Sequence, residues 1–391
     1  MESIREIFKD KGFSDEELSY LENAISEFGE VFGDFVSREE LIERAKSSID
    51  KIEFTDNLDS TSTCAVGCYN LKDKKIQVMK SLEDEELKSV FFHEFLHAIV
   101  SDGENTGFDR VYQIIDFDGE NELVHMGKGW NEGFVQMMTQ ERDKKVANKV
   151  ISKGYPILTE AVTKFTNLWG RDRFMDLYFH HADRFIEFMY EHTDNFGQIF
   201  LMDFDVIHKH EREIVAKKMG PQDNKGRLLS ALFNVGNKDI NNENLKRAQE
   251  EIMQVYIDAL LKDRIESPTE LQDTLNNIIE MYKVFYKTIS VYTIQRIIEQ
   301  SNPDILSNLE GLDWETQVLV NSGIEFENFK KLDASEKIKA FKDKEFLDSF
   351  WELADDYPSL VDEYCSSIVT ELYDRGKYFH NEDLSRVAFR V

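Results

Sequence analysis

The stretch SVFFHEFLHAIV, residues 89–100, sets two histidines and a glutamate among apolar residues at helical spacing. On a helix, positions i and i+4 lie one above the other, so His93 and His97 share a face. Glu94 is turned about 100° from His93 and flanks that face. Three unpartnered polar groups on a buried helix are expensive, and a cation held between the imidazoles removes the expense. Neutral imidazole nitrogens suit Zn2+ at roughly 2.0–2.1 Å. Glu94 stands where a general base can take a proton from a metal-bound water.

Working outward, Ser81 is read as the cap of this helix, and acidic residues 83–86 fill its first turn, where the helix dipole favours them. Just upstream, residues 64–80 change period: Cys64, Val66 and Cys68 alternate, as do Ile76 and Val78, around the polar turn NLKDKK. That pattern predicts a β-hairpin. Residues 1–50 read as helices, with Ser14/Glu17 and Ser37/Glu40 fitting the capping box. Residues 101–129 are rich in Gly and Asp and read as loop with one or two short strands. A second helix is expected from near Trp130 to about Lys149, and almost everything after it is helical. Ser267, Pro268 and Glu270 supply cap, first-turn proline and capping-box glutamate for a long helix. The run IIEMYKVFYKTISVY, residues 278–292, repeats at helical spacing and reads as core.

GPQDN, residues 220–224, is the best candidate boundary between domains. The expected division is an N-terminal helical segment over 1–50, a metal-binding domain over 51–220 and a helical C-terminal domain over 221–391. The fold class expected is α+β and mostly helical, with a small β-hairpin or sheet beside an active-site helix.

Composition narrows the partners. The chain of 391 residues carries a formal net charge of −29, which disfavours nucleic acid and anionic membrane surfaces. Peptides or proteins fit better as substrates. Three cysteines, Cys64, Cys68 and Cys365, are too few for a disulfide framework and read as reduced. The N-terminus has no basic segment followed by an apolar one, and no run of 18 apolar residues occurs, so the expected location is cytoplasmic. Nothing in the sequence specifies an oligomeric state.

His-Glu-x-x-His is the arrangement of zinc metallopeptidases. With 9 histidines in the chain, chance produces such a motif in roughly 2% of sequences of this kind. Its setting on a predicted helix after a predicted hairpin weighs against chance. A catalytic zinc takes three protein ligands and keeps one open position. The metzincin pattern needs Gly and then His or Asp where Val100 and Gly103 stand, so it fails. Downstream candidates for the third ligand are Asp102, Glu104, Asp109, Asp116, Asp118, Glu120, Glu122, His125 and Glu132. Glu132 lies in GWNEGFVQMMTQE, residues 129–141, near the start of a predicted helix. Gln136, four residues on, shares its face and is placed to orient a ligand histidine.

HEFLH followed by WNEGF resembles the gluzincin metallopeptidases, over about residues 64–145. The string NEGF is especially similar to aminopeptidase N-type enzymes. The resemblance implies a zincin-like core, His93, His97 and Glu132 as zinc ligands, and Glu94 as catalytic base. Thirty-four residues separate His97 from Glu132, a longer interval than is usual there, and the GxMEN stretch of aminopeptidases is absent.

Peptide hydrolysis also needs a donor to the developing oxyanion. Tyr155 is the first candidate, with His180, His181 and Tyr178 as rivals; His208 and His210 read as a solvated helix face. Two functions follow. One is a zinc-dependent metallo-endopeptidase with Glu94 as general base. The other is a catalytically inactive zincin-like interaction or regulatory protein, against which the intact Glu94 weighs.

Overall fold

The structure, a computed structural model, describes residues 3–56, 58, 66–115, 121–219 and 243–331. The chain divides into two compact units, Met1–Ile252 and Met253–Val391. The first takes in both the N-terminal helices and the 51–220 stretch, and the expected boundary at 220–224 lies outside the described residues.

The first unit begins with helices α1 (Ile4–Ile7), α2 (Asp15–Phe32) and α3 (Arg38–Ser48). At α2 the expected box closes both ways: Glu17 N donates to Ser14 Oγ at 3.3 Å and Ser14 N to the Glu17 carboxylate at 2.6 Å. Ser37 caps α3 by accepting from Glu40 N at 3.2 Å. Three strands follow, β1 (Lys51–Thr55), β2 (Gly67–Asn70) and β3 (Lys75–Met79). The predicted hairpin is β2–β3, paired antiparallel with Gly67 opposite Val78 and Asn70 opposite Lys75. Its turn is held by Asn70, whose side-chain oxygen accepts from Lys72 N and Asp73 N at 3.0 and 3.2 Å. β1 adds to β3 in parallel, giving the order β1-β3-β2 and leaving β2 at an edge. Cys68 is half-buried and reduced. Cys64 and Cys365 lie outside the described residues.

Helix α4 (Asp84–Ile99) carries HEFLH. Ser81 does not cap it: Ser81 sits in the turn leaving β3, and Glu86 accepts from Glu83 N instead, at 3.4 Å. From Val90 to Ile99 every side chain is buried. A helix apolar all round needs cover on every side, and α2, α3, β2 and β3 provide much of it.

The Gly/Asp-rich stretch forms a second antiparallel pair, β4 (Arg110–Ile115) and β5 (Asn121–Met126). Five helices complete the bundle of this unit: α5 (Lys128–Ala147), α6 (Pro156–Trp169), α7 (Arg171–His180), α8 (Phe185–His192) and α9 (Gly197–Met219). Trp130, fully buried on α5, touches the rings of Phe165, Trp169, Phe174, Phe185, Phe200 and Phe204. Five phenylalanines and two tryptophans thus form one aromatic core.

A buried polar network locks α5 to its neighbours. Arg142 donates to Glu27 of α2 at 2.6 and 2.9 Å and to Asp143 at 2.8 Å. Asp143, fully buried, also accepts from Ser89 Oγ on α4 at 2.9 Å and from Ile151 N and Ser152 N at 3.0 Å each. Each buried charge meets an opposite charge or a donor, the condition under which such a group is tolerated. The network holds α4 and α5 together, and with them the metal-ligand candidates.

Helix α10 (Glu243–Leu260) runs through the unit boundary. In the second unit, α11 (Pro268–Val284) starts as predicted, with Glu270 N donating to Ser267 Oγ at 3.2 Å. It is followed by α12 (Val291–Gln300), α13 (Pro303–Leu306) and α14 (Trp314–Lys331). The run at 278–292 is core for the most part, burying Ile278, Ile279, Met281, Tyr282, Phe285, Ile289 and Val291, while Tyr286 and Tyr292 are exposed. The described residues are thus mostly helical with two small sheets, an α+β arrangement. Among them no helix is long and apolar enough to cross a membrane.

Candidate metal centre

Two turns of α4 and the first turn of α5 meet at one point. His93 Nε2 and His97 Nε2 are 3.2 Å apart, and Glu132 Oε2 is 3.5 Å from the first and 3.7 Å from the second. A point equidistant from the three atoms lies about 2.0 Å from each, the distance at which zinc binds imidazole nitrogen and carboxylate oxygen. Among the described residues these three form the one group of His, Cys, Asp and Glu able to hold a metal ion. The donors are buried or nearly so, with Glu132 at 16% side-chain exposure. Burial works to raise the Glu132 carboxyl, yet the charges and hydrogen bonds of His97 and His93 outweigh it and hold it well below the usual carboxylate range. A deprotonated carboxylate between two imidazoles is a donor set ready for a cation. His93 Nδ1 is buried without a hydrogen-bond partner among the described residues.

The start of α5 is fixed by backbone contact. A Cβ on Gly129 would lie 2.1 Å from the Phe204 carbonyl oxygen, so α5 and α9 touch only because that residue has none. Asp205 of α9 accepts from Gly127 N at 3.0 Å and Gly129 N at 2.6 Å, three residues ahead of Glu132. Asn131 lies against His97 Nδ1 at 3.3 Å, while its side-chain oxygen accepts from Phe108 N at 3.0 Å. It is therefore Asn131, and not Gln136, that lies against a candidate ligand histidine. Gln136 turns away: its amide donates to Ser152 O at 3.1 Å and accepts from Ser152 Oγ at 3.3 Å. The expectation for Gln136 followed helix spacing alone, and the loop after α5 claims the side chain first.

Glu94 lies beside the cluster under the edge strand β2. A Cβ on Gly67 would come within 2.5 Å of Val90 Cγ1 and 2.8 Å of Glu94 Oε1, so the strand passes here only as glycine. Burial pushes the Glu94 carboxyl up to about 7; the Glu132 charge adds to this, and His93 and the Tyr69 backbone N–H oppose it.

The other loop candidates are engaged elsewhere. Asp102 accepts from Asn105 N and pairs with Arg110 at 2.6 Å. His125 is exposed on β5 and lies 3.2 Å from Asp109. Glu104 is exposed, and Glu122 lies on β5. Asp116, Asp118 and Glu120 lie outside the described residues.

Tyr155 sits half-buried at the start of α6. Burial and the nearby charges of Glu132, Glu94 and Glu211 raise its phenol well above the ordinary value, with Arg212 opposing. Tyr178 is buried with its hydroxyl unpartnered among the described residues, and burial and the Glu132 charge raise it too. His180 and His181 are exposed, and His180 is tied to the Phe35 carbonyl at 2.9 Å. His208 and His210 correct the sequence reading, because both are buried. Their helix, α9, packs against α5, α6 and α8, so a face that looks polar in sequence is interior. The His208 ring centroid is 5.1 Å from that of Tyr155, and its Nε2 has no partner among the described residues. Burial drives the imidazole down to about 4, while the Glu132 charge pulls the other way.

Glu211, one turn beyond His208, is 1% exposed and pushed up to about 8 by burial, against two backbone N–H bonds. Asp203 is pushed to about 8 by burial and by the hydrogen bond and charge of Glu251. For both carboxyls the native chain keeps a proton that the unfolded chain releases near pH 4, so stability falls as pH rises toward 8 and levels beyond it. Below pH 6.5 neutral His208 acts in the opposite sense, because the unfolded chain then takes up the proton. The uncompensated loss is therefore expected between pH 6.5 and 8, at no more than about 1.4 kcal/mol per pH unit for Glu211. Urea unfolding of the metal-free chain across pH 5–9 measures it. The Glu211→Gln, Asp203→Asn double variant should show a flatter curve above pH 6.5; an unchanged slope would place the protons elsewhere.

Comparison of the chain with protein-family models, with curated proteins and with solved structures finds no match.

Proposed function

We propose that the chain is a zinc-dependent metallo-endopeptidase with a gluzincin-type ligand set on a zincin-like core. The observation that carries the reading is the convergence of His93 Nε2, His97 Nε2 and Glu132 Oε2 within 3.2–3.7 Å of one another beside the buried Glu94. Two nitrogens and one oxygen, three protein donors rather than four, match the donor set of a catalytic zinc rather than a structural one. When bound, zinc supplies Lewis acidity and brings the pKa of water from 15.7 toward about 7.

The protein's own groups take the remaining roles. The Glu94 carboxylate accepts a proton from the attacking water and returns it to the leaving amine. The Tyr155 phenol and the His208 imidazole, in ring contact near Glu132, are the donors for the oxyanion. Among the described residues no strand pairs with the outer edge of β2, and an extended peptide pairs there beside the Tyr69 N–H that Glu94 takes.

The test uses the purified full chain. One zinc per chain is expected, together with cleavage within a broad peptide library that a chelator abolishes and added zinc restores. A chain that binds stoichiometric zinc yet cuts nothing would favour the interaction or regulatory protein instead.

A further inference from the structure

Tyr155 occupies a position that tyrosine normally avoids. It is the N-cap of α6 with φ 49° and ψ 57°, a left-handed conformation unusual for a bulky side chain. Helix N-caps are ordinarily Ser, Thr, Asp or Asn, whose side chains take up the first free N–H groups. Tyrosine cannot do this, and its side chain makes no capping bond. Pro156 follows and has no N–H to satisfy.

The capping is done from another helix. The two Glu211 oxygens accept from Ile157 N at 2.9 Å and Leu158 N at 3.4 Å. Glu211 and His208 are three residues apart on α9 and so share a face; one holds the backbone of the Tyr155 corner while the other meets its ring. Thr159 secures the same corner, its N and Oγ1 both donating to the Tyr155 carbonyl at 2.8 Å. The loop leading in is tied to α5 through Ser152, which bonds Gln136 and Asp143. A strained residue at a corner fixed from three sides is a pattern that points to function at that residue.

We propose that Glu211 is a positioning residue: by capping α6 from α9 in place of the usual N-cap side chain, it holds the Tyr155 ring against His208, in the orientation that the proposed oxyanion donor needs. The catalytic consequence rests on the hydrolytic reading above; the conformational part does not.

The experiment reads the two separately. The full chain is labelled with 3-fluorotyrosine, and the Tyr155 resonance is assigned by its loss in Tyr155→Phe. In Glu211→Ala that resonance is expected to shift and broaden or split, with zinc content and circular dichroism as in wild type. Glu211→Gln, which keeps one acceptor, should leave it near its wild-type position. Cleavage by Glu211→Ala should fall about 10²-fold in kcat with KM changed less than about twofold, and Glu211→Gln should restore most of it. Should Glu211→Ala not fold, Glu211→Asp retains the carboxyl group, withdraws it by one methylene and must move the same resonance. An unmoved Tyr155 resonance in a folded Ala or Asp variant overturns the proposal. A wild type that cleaves no peptide refutes the hydrolytic reading instead and leaves the fluorine result to decide the positioning role.

Discussion

Glu94→Gln is expected to keep its zinc and lose peptide cleavage by about 10²–10⁴-fold in kcat, the range a positioned general base contributes. That is about 2.7–5.5 kcal/mol of transition-state stabilisation. The substitution is nearly isosteric and still accepts the Tyr69 N–H, so the crowding of β2 against α4 at Gly67 is preserved. It also replaces a carboxylate that burial disfavours with a neutral amide, so folding should not suffer. Metal content and cleavage are measured on one preparation. Retained zinc with unimpaired cleavage would remove Glu94 from the chemistry, and zinc lost along with activity would show that Glu94 supports the metal rather than the proton transfer.

The second large effect concerns the third ligand. Glu132→Ala should weaken zinc binding by more than about 100-fold, since altering even an outer partner of a metal ligand typically costs 10–100-fold. Two things are lost together: one of three donors, and a carboxylate that lies within 3.7 Å of both His93 and His97. Competition titration against a zinc indicator gives the affinity. An unaltered affinity would mean that a residue outside the described ones, such as Asp116, Asp118 or Glu120, supplies the third bond. Glu132→Gln, which keeps the shape and an acceptor oxygen, should fall between the wild type and the Ala variant.

Some features could be read locally, for local reasons. The four-residue spacing of His93 and His97 aims both imidazoles at one point because helical pitch is set by the backbone. The alternation around Cys68 and Ile76 predicts the β2–β3 hairpin because strand period is local too. Ser14, Ser37 and Ser267 start helices where their hydroxyls meet N–H groups three residues on. Ser81 shows the limit of such reasoning: several polar residues precede α4, and the backbone path out of β3 selects Glu83 as the first.

Residue type and spacing proposed Glu132 as a donor, but whether its carboxylate comes within 3.5 Å of His93 depends on how α5 crosses α4. That crossing is set by the Arg142–Asp143–Glu27 network and by the close approach of Gly129 to α9, whose partners lie far away in sequence. The same holds for Asn131 against His97, for Gln136 drawn off to Ser152, and for His208 buried beside Tyr155. No periodicity marks these residues, because helical and strand periods report which face of an element is apolar and not which distant side chain meets it. The sequence by itself determined a pair of imidazoles and an acid on one buried helix; only tertiary packing decided what stands opposite them, because those contacts join segments tens of residues apart.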